Sequence, residues 1–501
     1  MEALADLAGG FSTALSPINL VWVVVGALLG TAVGVLPGLG SAMAVALLLP
    51  VTFALDPTGA LIMFAGIYYG GLFGDSTTGI LLNTPGNSSA IASTFEGHRM
   101  ALAGRAPQAL ATSAIGAFTG GLIATTVVAL GAPLFASLAS AFGPAEFFAL
   151  TAFAFVATAF VVADSALKGL AALVIGFAVG VVGIDSQTGT VRYTLGLPQL
   201  FDGIGIVVIT VGLLALGEVL YVASRGHWKS GDKLVQVKGR PYLSRAEVKE
   251  AAPAWLRGTA FGVPFGVIPV GGSEVPTFLA YGTERRLDAR RPDPQFGKGA
   301  IRGLAAPEAA GNATAGTAMG ALLALGLPTS ATAAVLLGAF QQFGIQTGPL
   351  LFTRSGDIVW ALIASLFIGL FVLLVINLPF APLWAKLLLI PRPYLYAGIT
   401  LFAGLGIFAA SGSVFDLVLL LGLGLLGFLM RRHDIPLAPV LIAVILGPLA
   451  EVNLRNTLAI SQGDVTALFS SGPTLVIYGL LVVAVVVAVV NKVRARGSAD
   501  V

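Results

Sequence analysis

Apolar stretches long enough to cross a bilayer recur from one end of this chain to the other, at Ile18 to Leu36, Leu110 to Leu130, Phe147 to Val162, Ile358 to Leu378 and Leu475 to Val490. A span of the hydrocarbon core takes about 20 such residues, and a helix satisfies its own backbone there. Hydrophobic residues fill 56% of the 501 positions and charged ones 10%, leaving too few polar side chains to cover a water-soluble surface. An all-α polytopic integral membrane protein is therefore expected. The first sixteen residues hold no Lys or Arg, so no basic leader is expected and the N-terminus reads as mature sequence.

Several function classes drop out. There is no Cys, hence no disulfide, thiolate metal site or cysteine nucleophile. No GxxxxGK[ST] phosphate loop occurs, so work must be drawn from an ion gradient or a partner. A net charge of +3 is too small to argue for nucleic acid and reflects basic membrane loops. The longest polar interval, Ala223 to Trp255, is basic, contains Pro241 and reads as a cytoplasmic connector with no core of its own. It divides the chain into a first membrane repeat (1–222), the connector (223–256) and a second repeat with C-terminal helices (257–501).

The repeat is legible in two motif pairs. GVLPGLGS at Gly34 to Ser41 matches GVIPVGGS at Gly266 to Ser273 at an offset of 232. LNTPGNSSA at Leu82 to Ala90 matches LGLPTSATA at Leu325 to Ala333 at an offset of 243, so the second half carries eleven extra residues between its motifs. Charge bias swaps between the halves. Gly282 to Arg302 carries six Lys and Arg where Val51 to Pro57 has none, whereas Arg99 and Arg105 follow the second motif of the first half and only Arg354 lies in Gln341 to Gly356. Opposite bias at matching positions predicts inverted-topology repeats with broken helices and re-entrant hairpins. One threading places every strongly basic turn inside, with the N-terminus periplasmic and the C-terminus cytoplasmic.

Gly and Pro that free backbone groups inside a membrane are tolerated where they line a protein cavity. Four such breaks occur, at Pro37 to Ser41, Asn83 to Ser89, Pro269 to Ser273 and Pro328 to Thr332. Each is followed by small hydroxyl or amide side chains and a resumed helix, whose N-terminus favours an anion. Taken singly, each reads as a Pro kink with a Ser or Thr cap; paired across two halves, they point to a midplane site. The expected substrate-binding set is Pro37, Gly38, Ser41, Asn83, Thr84, Pro85, Gly86, Asn87, Ser88, Ser273, Pro328, Thr329 and Ser330. Every Lys and Arg fits a loop or a membrane surface, so no buried cation is expected to face the anion. Asp75 and Glu308, with Asn312 one turn on, are candidates to couple a cation, as Na⁺ ligands or proton carriers. The bland alternative is that Asp75 caps a helix beginning at Ser76. Asp164 with Lys168 and Glu451 with Arg455 are spaced as structural ion pairs.

The strings GVLPGLGS, IYYGGLFGDSTTGILLNTPG, FEGHRMALAGRA, YGTERR, FGKGAIRGLAAPEAAGNAT, LALGLPTS and GPLAEVNLRNTLAISQGD resemble the large membrane subunit of the tripartite tricarboxylate transporters, in that family's order. The resemblance implies a bacterial inner-membrane permease, not an enzyme, with no cofactor and with Na⁺ or H⁺ as coupling ion. It further implies a small four-helix-type membrane subunit, a periplasmic solute-binding protein and a small carboxylate substrate. The family's motifs fall on Pro37 and Gly38, on Asn83, Pro85 and Gly86, and on Pro307, Glu308 and Asn312. Three positions depart from it: Asp75 stands where a small residue is expected, and Val270 and Thr329 replace glycines. An added carboxylate repels a tricarboxylate, so the expectation is an organic anion and not citrate in particular. The alternatives are a stand-alone carboxylate symporter and, remotely, an intramembrane aspartyl protease suggested by Phe73, Gly74 and Asp75. Such a protease needs a second intramembrane Asp preceded by Tyr, and a Gly where Leu72 stands. A channel is disfavoured because no filter string is visible.

Overall fold

The computed structural model describes residues 2–36, 39–84, 87–140, 142–159, 165–185, 187–225, 235–268, 272–348 and 350–497. Its helices run α1 Glu2–Ala14, α2 Pro17–Val35, α3 Ser41–Leu48, α4 Pro57–Leu82, α5 Ile91–Met100, α6 Ala106–Ser140, α7 Pro144–Ala157, α8 Ala166–Gly180, α9 Ile206–Thr210, α10 Gly217–Ser224 and α11 Arg245–Val267. They continue as α12 Glu274–Asp288, α13 Ile301–Leu325, α14 Ala331–Gln342, α15 Leu351–Arg354, α16 Gly356–Asn377, α17 Ala381–Leu387, α18 Arg392–Ser411, α19 Val414–Arg432, α20 Leu437–Ile460 and α21 Gly472–Gly497. Among the described residues the only sheet is a two-residue hairpin, β1 Gly183–Ile184 against β2 Val191–Arg192.

Each of the four breaks separates two helices: α2 from α3, α4 from α5, α11 from α12 and α13 from α14. The two second breaks are built alike. Asn83 ends α4 in the left-handed conformation (φ 55°) and Gly326, 243 residues on, ends α13 in the same one (φ 68°). Asn is the residue with a side chain best suited to that cap.

Glycines set how the helices pair. A β-carbon at Gly26, Gly30 or Gly34 of α2 would overlap the backbone of α4 at Met63, Ile67 and Gly71. One at Gly258, Gly262 or Gly266 of α11 would overlap the backbone of α13 at Ala306, Ala310 and Thr314. These positions obey the motif offsets, 232 residues between the glycine sets and 243 between their partners. Two helix pairs thus make one and the same close contact, of the small-residue kind that lets membrane helices approach backbone to backbone.

Seven helices among the described residues are long and apolar enough to cross a membrane: α2, the continuous α5–α6 run, the α9–α10 run, α16, α18, α19 and α20. The helices α4, α11 and α13 are not in that set, although each exceeds twenty residues. For α4 and α13 the reason is position; α11 begins with charged residues, Arg245 to Glu250, and carries Arg257. All of α13 from Ile301 to Ala324 is buried, and so is α4 from Gly59 to Leu82 apart from Leu72. Sheathed by α2, α6, α11 and α16, the two central helices meet protein rather than lipid, and are rich in Gly, Ala and Thr.

Basic loops from both halves meet on one face. Arg105 pairs with Glu247 (3.0 Å) and Arg291 with Glu250 (2.8 Å). Glu96 of α5 accepts the backbone N–H of Gly297, Gly299 and Ala300 (2.7 to 2.9 Å) at the start of α13. The segments that correspond to these, around Phe53 and Phe343, touch each other instead, with ring centroids 6.2 Å apart. The expected connector is partly helical: α11 begins at Arg245, capped by Ser244 and Glu247, and Val235, Val237 and Leu243 pack onto an apolar cluster of α6 and α13. Arg302 is buried, and Glu284 holds it at 2.6 Å. Glu451 and Arg455 pair as expected (2.6 Å), within a network that adds Asp185 and Arg192. Lys168 faces Asp434 at 3.6 Å, and Asp164 lies outside the described residues.

Candidate functional site

Where the four breaks converge there is a cavity of about 230 Å³. Both halves line it at matching positions: Ser41 with Ser273, Leu72 with Ala315, Asn87 with Ser330, and Ser89 with Thr332. The hydroxyls of Ser41 and Thr332 hydrogen-bond across it at 2.9 Å, joining the resumed helix of a first break to that of a second. Ser330 caps α14 by accepting the N–H of Ala333 at 3.2 Å, and Ser273 donates to the carbonyl of Gly311 at 3.2 Å.

Two buried polar atoms on this lining have no hydrogen-bond partner among the described residues: Asn87 Nδ2 and Thr329 Oγ1. Leaving a buried donor unmet costs about 1 to 3 kcal/mol. A bound carboxylate supplies acceptors for both. No Lys or Arg is among the lining residues, so the positive potential for an anion comes from N–H and O–H groups and helix termini.

A second, much smaller cavity of about 20 Å³ adjoins the first and shares Leu72 and Ser89 with it. Asp75 of α4 and Glu308 of α13 line it, with Ser76, Ser93 and Asn312. Both acids are nearly sealed off, at 1% and 4% exposure. The Ser76 hydroxyl lies 2.8 and 2.9 Å from the two Glu308 oxygens. Asp75 does not cap a helix beginning at Ser76, because α4 runs unbroken through it; the following hydroxyls point away to Glu308 and, from Thr78, to the carbonyl of Val35. Its carboxylate instead accepts the N–H of Asn87 (3.1 Å to each oxygen), across the break.

The remaining expected residues are placed as follows. Asn83 is exposed, ending α4; Thr84 turns its hydroxyl back to Leu82 (3.1 Å); Pro328 is buried but off the lining. Pro37, Gly38, Pro85 and Gly86, the Ser88 side chain, and Pro269 and Val270 lie outside the described residues. Sequence reasoning missed Tyr68, Thr158 and Glu274, which all line the larger cavity. Glu274 stands one residue past the GVIPVGGS string, where extending the motif by a single position would have found it. Thr158 comes from outside both motif pairs and carries no such signal.

Among the described residues no group of three or more His, Cys, Asp or Glu is arranged to hold a metal ion. The profile of the tripartite tricarboxylate transporter TctA family matches residues 20–442. A relative from Agrobacterium vitis, described as an uncharacterized 52.8 kDa protein in the TAR-I ttuC' 3' region, is 40% identical over 99% of this chain and 98% of its own length. Another from the same organism, an uncharacterized protein in the TAR-II ttuC' 3' region, is 37% identical over 47% of this chain and 96% of its own. No solved structure matches. With a profile running from the second helix into α20, across all four breaks and both cavities, this chain belongs to the tripartite tricarboxylate transporter TctA family.

Proposed function

We propose that this chain is the large membrane subunit of a secondary transporter that takes a small organic di- or tricarboxylate inward across the bacterial inner membrane, at the expense of a cation gradient. The reading rests on one observation above the rest: a cavity at four helix breaks with two unmet buried polar atoms, no Lys or Arg, and two carboxylates next door. Its volume, about 230 Å³, is below the range of about 300 to 1,000 Å³ that houses drug-sized ligands and suits a small metabolite. Glu274 on the lining limits how much negative charge a substrate can bring.

The halves are inverted in this proposal. Support comes from the identical glycine contacts at the motif offsets and from the meeting of Arg99–Arg105, which follows the second break of the first half, with the loop that precedes α13 in the second. Two copies entering from opposite sides bring exactly such non-equivalent loops to one face. Capture from the periplasm falls to a separate solute-binding protein, with a small membrane subunit as third component.

Reconstitution tests the reading. Proteoliposomes holding this chain with its small subunit and binding protein should accumulate a labelled di- or tricarboxylate when an inward cation gradient is imposed, and this chain alone should accumulate little. Full uptake by the isolated chain would favour the stand-alone symporter. No gradient-driven uptake of any carboxylate by the complete set would end the transport reading.

A further inference from the structure

Resting on the reading of this chain as a cation-coupled carboxylate carrier, we propose that the small cavity between Asp75, Glu308 and Asn312 is a sodium site. At about 20 Å³ it has room for about one water-sized particle. Oxygen-bearing side chains surround it, from both acids, Asn312 and three serines, the hard ligands that alkali and alkaline-earth cations take.

The decisive atom is the side-chain oxygen of Asn312. This residue is 4% exposed, its Nδ2 is spent on the carbonyl of Glu308 (3.1 Å), and its Oδ1 has no hydrogen-bond donor among the described residues. The Ser76 hydroxyl, on the same lining, is committed to Glu308. An acceptor left over beside two carboxylates calls for a positive occupant.

Charge calls for a cation. Asp75 accepts the N–H of Asn87 and Glu308 the hydroxyl of Ser76, all neutral donors. No Lys or Arg lines either cavity, and in a space of one water-sized particle a single small cation adds positive charge beside the two acids. Coupling follows from shared parts. Ser89 lines both cavities, and Asp75 holds the backbone of Asn87, whose side-chain amide faces the substrate cavity. An ion that fixes Asp75 thereby fixes a substrate-binding group.

Binding of ²²Na⁺ to the purified chain in lipid nanodiscs, in choline chloride at constant ionic strength and several pH values, tests this without partners or substrate. Expected is saturable binding that unlabelled Na⁺ competes better than K⁺ or Mg²⁺. Asn312→Leu should raise the half-saturating concentration about tenfold or more, the size of one lost ligand at about 1.4 kcal/mol. Asn312→Asp keeps an oxygen there and should still bind Na⁺, which separates loss of a ligand from loss of fold. Absence of saturable binding to the native chain, a preference for Mg²⁺, or equal affinity in Asn312→Leu would each overturn the proposal. Carboxylate uptake by the complete transporter that follows pH and ignores Na⁺ would overturn it too while sparing the transport reading, which fails only if no carboxylate is carried.

Discussion

Thr329 stands where related sequences are expected to have Gly, and its hydroxyl is buried on the larger cavity with no hydrogen-bond partner among the described residues. Thr329→Val replaces that hydroxyl by a methyl of similar size and should leave thermal stability unchanged or raised by about 1 kcal/mol, because an unmet buried polar atom is removed. Substrate affinity should fall about fivefold in the same variant, the loss of about one hydrogen bond of 1 kcal/mol. A variant with lowered stability and unchanged half-saturation for uptake would show that the hydroxyl serves the fold. Far from this site, Asp185 in the hairpin loop is held well below the usual carboxylate range, first by the Thr188 hydroxyl and then by Arg455. A depressed carboxyl stabilises fully above its unfolded value of about 3.9, and that contribution is lost as pH falls below it through the folded value. Hydrogen exchange of residues 183–192, corrected for intrinsic rates, should therefore stay flat from pH 8 to about 4 and rise below. Asp185→Asn should abolish the rise.

At the scale of helices, glycines that look alike in sequence divide into two kinds. Gly262→Ala drives a methyl into the backbone of α13 and should destabilise by several kcal/mol, whereas Gly422→Ala on α19 meets nothing within 4 Å and should be neutral or gain up to about 1 kcal/mol in helix propensity. Melting of the two variants in detergent separates them. The breaks were legible because Pro and Gly interrupt apolar runs, and the repeat because its strings keep their offsets. The cap alternative for Asp75 stayed open in the sequence because GDSTT has the composition of an N-terminus; only the unbroken α4 and the tertiary partners, Glu308 for Ser76 and Val35 for Thr78, close it. Which residues line which cavity was legible in part: Ser41, Asn87, Ser273, Thr329 and Ser330 were expected together and share the larger cavity, and Asp75, Glu308 and Asn312 share the smaller, whereas the bond between Ser41 and Thr332 spans 291 residues of chain and left no local signal.

For the whole molecule, the proposed inversion puts the loop after α12 and the loop after α14 on opposite sides of the membrane. In the Cys-free chain, a cysteine at Ala289 should be shielded from impermeant thiol reagents applied to the outside of cells and one at Gln346 should react; the reverse pattern would refute the assignment. A further consequence lies in the burial of α4 and α13. These helices carry Asp75 and Glu308 yet fall short of the seven that lipid alone would accept, because they end up enclosed by α2, α6, α11 and α16. While the chain is being synthesised that enclosure does not yet exist, and α4 leaves the ribosome when its later neighbour α16 is still unmade. A translocon that releases segments by hydropathy has little reason to let such helices go singly. The acids proposed to couple an ion also oblige the nascent halves to enter the bilayer as partly assembled groups of helices.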